Sequence, residues 1–136
     1  MLGLPDGVTA CLFDLDGVLT TTERVHATAW KTTFDAVLAA HAGETGVDAT
    51  PFDRKADYHR YVDGKPRYDG VRAFLAARGI ALPDGEAGDT TRDTVRGIGD
   101  RKNMLVQQLI ATEGVEPFPG SVRYLEAVRD AGLRIA

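Results

Sequence analysis

An apolar run that ends in two closely spaced acidic residues constrains the fold of this chain most strongly. Val8 to Leu15 is short and almost continuously hydrophobic, and it follows the turn-forming Pro5-Asp6-Gly7. This pattern predicts a buried strand of a parallel sheet. Asp14 and Asp16 stand at the end of that strand, where open α/β sheets bind their ligands. Gly17 then predicts a sharp turn of the chain.

The two carboxylates indicate a candidate phosphoryl-transfer site. Carboxylate oxygens are ligands that Mg²⁺ prefers, and the metal neutralises phosphate charge. The second carboxylate, Asp16, is also a candidate proton donor. Aspartates are common as ordinary turn residues after a strand, which is the alternative interpretation. The strand before the pair and the helix predicted after it favour the site.

Composition limits the class of protein. The chain has 136 residues, the length of one ordinary domain, with 43% hydrophobic residues and a net charge of −4. Its basic residues are scattered, so we expect no nucleic-acid partner. We also expect no membrane span, because no apolar stretch approaches about 20 residues, and without a recognisable signal peptide a cytoplasmic location is the default expectation. The single cysteine, Cys11, is expected to be a small core residue.

Helical periodicity dominates the middle of the sequence. Thr20 and Glu23 have the spacing of a capping box, which predicts the start of a helix. Its buried stripe is predicted to comprise Trp30, Phe34, Val37 and Leu38. Further helices are predicted over 53–61, 69–78 with Gly79 as the stop, and 101–112 behind an Asp100 cap. A last helix, with Leu125 and Val128 on its apolar face, is predicted to stop at Gly132. Loops are predicted over 42–51 and 83–93, and a second strand over 133–136.

Specific motifs resemble a known family. Phe13-Asp14-Leu15-Asp16-Gly17-Val18-Leu19-Thr20 resembles the first signature of the haloacid dehalogenase superfamily. Later blocks resemble the β-phosphoglucomutase family in order: Thr22, His26, Ala29-Trp30-Lys31, Val62-Asp63-Gly64-Lys65-Pro66-Arg67, Arg101-Lys102-Asn103 and Phe118-Pro119-Gly120. The resemblance spans nearly the whole chain.

The resemblance implies an α/β fold with a Rossmannoid parallel-sheet core and an inserted α-helical cap domain. The core would comprise residues 1–21 and 116–136, and the cap residues 22–115. Only two core strands fit, whereas sheets usually have about 5 or 6. The family's later motifs, a Ser/Thr-ended strand, a lysine and a paired-acid metal motif, do not occur in this sequence. We therefore expect a truncated enzyme, inactive as the 136-residue segment alone.

The resemblance also implies roles for the acidic pair and its neighbours. Asp14 would be the nucleophile that becomes an aspartyl phosphate and a ligand of Mg²⁺. Asp16 would transfer protons and bind the same Mg²⁺ through its backbone carbonyl. Thr22 would be a hinge residue, although helix capping explains it equally well. His26 would support proton transfer, although a lone helical histidine is as often structural.

Five residues of the cap are implied to bind substrate. Arg67 would hold the phosphate that is not transferred, with Gly64 in the same loop; the alternative is a solvated arginine at a helix start. Lys102 and Asn103, predicted at the beginning of a helix, would face the closed site, although without the resemblance they read as surface residues. Trp30 is expected mainly in the core, with a pocket role as the alternative.

The resulting expectation is a Mg²⁺-dependent mutase that converts β-glucose 1-phosphate to glucose 6-phosphate through a sugar bisphosphate. Asp63 and Gly70 depart from residues of the family, which leaves the sugar open, and Thr21 departs from the acidic residue common at its position. A sugar-phosphate phosphatase is the first alternative, since water can also hydrolyse an aspartyl phosphate. A noncatalytic sugar-phosphate-binding or partner-binding fragment is the second. The sequence does not predict an oligomeric state.

Overall fold

The chain forms four α-helices, one π-helical segment and a two-stranded parallel sheet within residues 2–136, the part that this computed structural model describes. The elements are β1 (Ala10–Cys11), α1 (Thr22–His41), the π-helix (Tyr58–Val62), α2 (Arg67–Ala77), α3 (Val95–Glu113), α4 (Pro119–Asp130) and β2 (Arg134–Ile135). The chain separates into two compact units. The strand unit joins the chain up to Arg24 with Glu113–Ala136, and the helical unit is Val25–Thr112.

The strand unit contains the predicted parallel pair. Ala10 lies opposite Arg134, and Cys11 opposite Ile135. Helix α4 connects the second boundary to β2 and buries Val128 completely. Gly132 ends this connection with a φ of 74°, as the sequence predicts. This parallel pair, reached through helices, confirms the α/β class.

The predicted buried strand over Val8–Leu15 is wrong in length and burial. Only Ala10–Cys11 form a regular strand, while Leu12 is 84% exposed and Leu15 54% exposed. A strand becomes buried on both faces only when other elements cover both faces of its sheet. Within residues 2–136, β1 pairs with β2 alone, so the two-stranded sheet is too small to cover the side chains of Leu12 and Leu15. For the same reason Cys11 is half-buried rather than in a core.

The helical unit is built on the predicted stripe of α1. Trp30, Phe34, Val37 and Leu38 are all buried. Phe34 is the centre of an aromatic cluster, with ring centroids 4.0 Å from Phe74 and 4.9 Å from Trp30. The 3.6-residue period of apolar side chains therefore predicted this packing face correctly.

The start of α1 differs from the capping-box prediction. The helix begins at Thr22, so the capping position falls on Thr21 rather than Thr20. The Thr20 hydroxyl instead donates to the Leu15 carbonyl oxygen over 3.3 Å and lies 2.7 Å from the Thr22 hydroxyl. Because the Thr20 hydroxyl is hydrogen-bonded within the loop that follows β1, it does not cap the helix.

The predicted helix over Asp53–Tyr61 is replaced by a turn and the π-helix. Asp53 Oδ1 accepts hydrogen bonds from the backbone N–H groups of Lys55 and Ala56. The Tyr58 and Asp63 N–H groups then bond to carbonyls five residues earlier, at Asp53 and Tyr58. This spacing is the π-helical pattern, which interrupts regular α-helix.

Helix α3 begins at Val95, six residues before its predicted start at Arg101. The Thr94 hydroxyl accepts the Gly97 N–H over 3.0 Å and caps the helix, so Asp100 is not its cap. Gly97 and Gly99 weakened the helical signal in the sequence. Gly99 is tolerated because its bare backbone packs on Tyr68, whose Cδ1 would lie 2.8 Å from an added Cβ.

The predictions for α2, its end at Gly79 and the 83–93 loop agree with the structure. Helix α2 covers most of the predicted 69–78 segment, and Gly79 follows it with a φ of 72°. The 83–93 segment contains no helix or strand, as predicted. None of the helices within residues 2–136 is long and apolar enough to cross a membrane.

Candidate active site

Asp14 comes directly after the paired part of the sheet. The Ala136 N–H donates to the Cys11 carbonyl over 3.1 Å, and the Phe13 N–H donates to the Ala136 carbonyl over 2.8 Å. Asp14 is the next residue, and it is exposed. Its carboxylate makes no hydrogen bond to any other residue in the described part of the chain. The main chain is therefore fixed immediately before a carboxylate that solvent can reach.

A tight turn carries the chain from Asp14 to α1. The Leu15 carbonyl accepts the N–H groups of Leu19 and Thr20 over 2.9 and 3.0 Å. Gly17 lies inside this turn with a φ of 73°, in the left-handed region that favours glycine. A Cβ at Gly17 would also approach Glu23 Oε2 to 2.5 Å. The positive φ therefore favours glycine here, while the Glu23 side chain could move aside for an added Cβ.

Asp16 is tied to the first residue of α1. The Thr22 hydroxyl donates to Asp16 Oδ1, and its oxygen is also 2.7 Å from the Thr20 hydroxyl. Thr22 is buried, whereas Asp16 is exposed, so only the donor side of this hydrogen bond is covered by protein. The structure therefore gives Thr22 a partner within the predicted site. The carboxylate of Asp16 is held in one orientation while Asp14 is left accessible.

The returning segment before α4 supports the same turn. The Thr21 N–H donates to the Glu116 carbonyl over 3.0 Å, and the Phe118 N–H donates to the Leu19 carbonyl over 2.9 Å. The Ser121 hydroxyl adds a 2.6 Å hydrogen bond to the Val18 carbonyl. Two backbone hydrogen bonds and one from a serine hydroxyl, all with a distant part of the sequence, thus fix the loop that carries Asp16.

A cavity of about 300 Å³ adjoins this turn. It is lined by Gly17, Thr21, Glu23, Arg24, Glu116 and Phe118. Neither predicted catalytic carboxylate lines it, so the cavity does not mark the position of a substrate beside Asp14.

The acidic pair fits part of a magnesium site. Carboxylate and carbonyl oxygens at Asp14 and Asp16 are the donor type that Mg²⁺ binds. Within residues 2–136, however, no group of three or more His, Cys, Asp or Glu side chains could hold a metal ion. The described residues therefore supply two acidic positions and no third, and water, phosphate or other protein ligands must complete a magnesium shell.

In the helical unit, three predicted site residues lie together. Lys102 is only 5% exposed, and its Nζ is 2.7 Å from His26 Nδ1 and 4.7 Å from the centroid of the Trp30 ring. An ammonium group has no acceptor, so Nζ donates and the His26 ring accepts at Nδ1. The contact to Trp30 has cation–π geometry. Trp30 itself is buried, as the sequence predicted.

The prediction that Lys102 and Asn103 begin a helix is wrong. Both lie inside α3, which starts at Val95. Asn103 is partly buried, and its side-chain amide has no hydrogen bond to the described residues. His26 and Trp30 both contact the buried ammonium group of Lys102 from α1.

The predicted phosphate-binding arginine has an acidic neighbour. Arg67 is the first residue of α2, and Gly64 lies in the preceding turn with a φ of 66°. Arg67 Nη2 is 3.3 Å from Asp100 Oδ1 and 3.4 Å from the Tyr68 hydroxyl. Neither partner was predicted from the sequence, in which Asp100 resembled a helix cap. Only the approach of α2 and α3 reveals the pair.

Comparisons with known proteins identify the family of this chain. A model of the haloacid dehalogenase-like hydrolase family matches residues 8–136. Two proteins named beta-phosphoglucomutase, from Mycobacterium bovis and Mycobacterium tuberculosis, are each 56% identical over 137 residues. Those alignments cover 100% of this chain and 52% of each relative, so the chain spans about half their length.

A third relative is a Mycobacterium tuberculosis protein named uncharacterized glycosyl hydrolase. It is 39% identical over 127 residues, which cover 93% of this chain and 9% of that protein.

Proposed function

We propose, because this chain belongs to the haloacid dehalogenase-like hydrolase family, that the protein carrying it transfers a phosphoryl group on a sugar phosphate through an aspartyl phosphate. The proposed reaction converts β-glucose 1-phosphate to glucose 6-phosphate. The observation that carries this proposal is the accessible carboxylate of Asp14, placed directly after the β1–β2 pairing beside an oriented Asp16. The similarity to two proteins named beta-phosphoglucomutase supports the choice of reaction.

In the proposed mechanism, the two aspartates divide the work. A carboxylate oxygen of Asp14 attacks phosphorus, and the bond from phosphorus to the departing sugar oxygen breaks. Asp16 gives that oxygen a proton. In the second half-reaction the incoming sugar hydroxyl attacks the phosphorus of the aspartyl phosphate, Asp16 takes the hydroxyl proton, and the bond from phosphorus to the Asp14 oxygen breaks. The Thr22 hydroxyl fixes the Asp16 carboxylate for both transfers. Mg²⁺, when bound by Asp14 and the Asp16 carbonyl, would neutralise charge on the transferring phosphate.

The helical unit is proposed to bind the rest of the substrate. Arg67 would bind the phosphate that is not transferred, because a guanidinium can donate two parallel hydrogen bonds to phosphate. Lys102, held by His26 and Trp30, would supply a second cation. Gly64 and Asn103 are proposed to contribute polar contacts from the main chain and the amide.

Product analysis tests the reaction. The full protein would be incubated with β-glucose 1-phosphate and Mg²⁺, with and without β-glucose 1,6-bisphosphate as activator. We expect glucose 6-phosphate, formed faster with the bisphosphate. Release of glucose and inorganic phosphate would instead identify the sugar-phosphate phosphatase.

Trapping the phosphoenzyme tests the nucleophile. Asp14→Asn should abolish the acid-stable, base-labile phosphoenzyme, because the amide keeps the volume and loses the anionic oxygen. Asp6→Asn is the matched control, since Asp6 is an exposed aspartate in the turn before β1. Phosphoenzyme formation by the Asp14→Asn variant would exclude Asp14 as the nucleophile.

A further inference from the structure

Arg67 uses only part of its guanidinium within the protein. Its two polar contacts, to Asp100 Oδ1 and the Tyr68 hydroxyl, both involve Nη2 and are long, at 3.3 and 3.4 Å. The Nε atom is buried and has no hydrogen-bond partner. A guanidinium carries five N–H donors, so most of the Nη1 and Nη2 edge remains available to an external anion. The pair with Asp100 orients Arg67 without saturating it.

Asp100 is itself held rigidly. Its Oδ1 accepts a 2.7 Å hydrogen bond from the Tyr68 hydroxyl, and its side chain is only 24% exposed. The Tyr68 ring packs on the bare backbone of Gly99. The guanidinium carbons of Arg67 and Arg96 lie 5.1 and 5.0 Å from the Tyr68 ring centroid. Two helices, α2 and α3, therefore fix the acceptor to which Arg67 is directed.

We propose that Asp100, fixed by Tyr68, is a positioning residue that orients Arg67 for the non-transferring phosphate of the substrate. This inference rests on the proposed function, because it assigns that phosphate to Arg67. Asp100 acts through Arg67 and does not touch the substrate. Long arginine side chains lose rotamer entropy when an anion binds, and prior orientation removes part of that cost. The Asp100 carboxylate also repels the incoming phosphate. Its acceptor oxygen therefore raises the affinity for phosphate by orienting Arg67, while its negative charge lowers that affinity.

Removing the Asp100 carboxylate tests whether this residue positions Arg67 or only stabilises the fold. Asp100→Ala should raise the KM for β-glucose 1-phosphate about two- to fivefold, the range expected for a partly exposed ion pair. Hydrolysis of p-nitrophenyl phosphate should keep its kcat/KM, because its single phosphate is the one transferred to Asp14, whereas β-glucose 1-phosphate keeps its own phosphate while its 6-hydroxyl takes the phosphoryl group from the enzyme. Tyr68→Phe should change the KM in the same direction. Asp69→Ala is the matched control, since Asp69 pairs with Arg72 on the exposed face of α2.

A double-mutant cycle provides the decisive measurement. In an Arg67→Ala background, Asp100→Ala should change the KM for β-glucose 1-phosphate by less than about 1.5-fold, because no guanidinium remains to be oriented. Asp100→Asn keeps an acceptor oxygen and removes the repelling charge, so its KM should be equal to or below that of the wild type. The Kd of each variant for glucose 6-phosphate, measured by titration, gives a second double-mutant cycle that does not depend on turnover.

The outcomes separate this inference from the proposed function. Equal effects of Asp100→Ala with and without Arg67, or a lower KM in Asp100→Ala, overturn the positioning role. A wild-type protein that binds glucose 6-phosphate without turnover of β-glucose 1-phosphate overturns the proposed function, while a coupled Kd cycle still supports positioning. A wild-type protein that does not bind glucose 6-phosphate overturns both.

Discussion

Truncation of Phe34 should strongly destabilise the helical unit. Phe34 has no exposed surface, and its ring is in contact with those of Trp30, Phe52 and Phe74, at centroid distances between 4.0 and 5.3 Å. Phe34→Ala removes the ring and leaves a cavity that the neighbouring aromatic rings cannot fill. The expected loss is about 3 to 5 kcal/mol in the free energy of unfolding.

Urea unfolding of residues 1–136, followed by Trp30 fluorescence, measures this loss. Trp30 is the single tryptophan of the sequence and lies within the helical unit. With a slope of about 1.5 kcal/mol per molar urea, a loss of about 4 kcal/mol moves the midpoint down by about 2.7 M. Phe34→Leu should lose less, because leucine fills part of the cavity.

Thr32→Ala is the matched control for this experiment. Thr32 is exposed on the same helix, so its truncation should change the free energy of unfolding by no more than about 0.5 kcal/mol. A loss below about 1 kcal/mol in Phe34→Ala would refute the assignment of Phe34 to the centre of the core. Equal losses in Phe34→Ala and Thr32→Ala would refute it too.

The remaining predictions concern acid stability, backbone conformation and the isolated segment. Hydrogen bonds from the Thr94 hydroxyl and the Thr91 backbone N–H lower the pKa of Asp89 below its ordinary 3.8. The ionised carboxylate therefore stabilises the fold above pH 3.8, and this contribution is lost as the pH falls through the folded-state pKa. Asp89→Asn should therefore lower stability at pH 7 and reduce the difference in urea midpoint between pH 7 and pH 3; an unchanged difference would contradict this. Gly79→Ala should cost more than Gly43→Ala by urea unfolding, because both have a positive φ but only Gly79 has a backbone carbonyl against an added Cβ. Residues 1–136 alone should show no mutase activity and rapid hydrogen exchange over 10–16, whereas the full protein should be active; turnover by the segment would overturn this expectation.

Local chemistry in the sequence determined the buried face of α1, two helix ends and the position of the candidate loop after β1. The apolar period of α1 predicted its buried face, because side chains three and four residues apart share one side of a helix. Gly79 and Gly132 predicted helix ends, because each takes up a left-handed conformation that most residues avoid. Asp14, Asp16 and Gly17 identified the loop after β1 as a candidate site. These features depend on neighbours in sequence, so they could be predicted without a fold.

Tertiary contacts decided the rest. Burial of the Val8–Leu15 run depends on what covers the sheet, which periodicity does not specify, and the structure leaves Leu12 exposed. Gly99 argued against an early start of α3, but packing against Tyr68 compensates for its low helix propensity. The partnership of Arg67 with Asp100 joins residues 33 positions apart, and no local pattern encodes it. Pairings of this kind arise only when packed helices bring distant side chains together, which is why the sequence indicated the arginine and only the structure revealed the aspartate beside it.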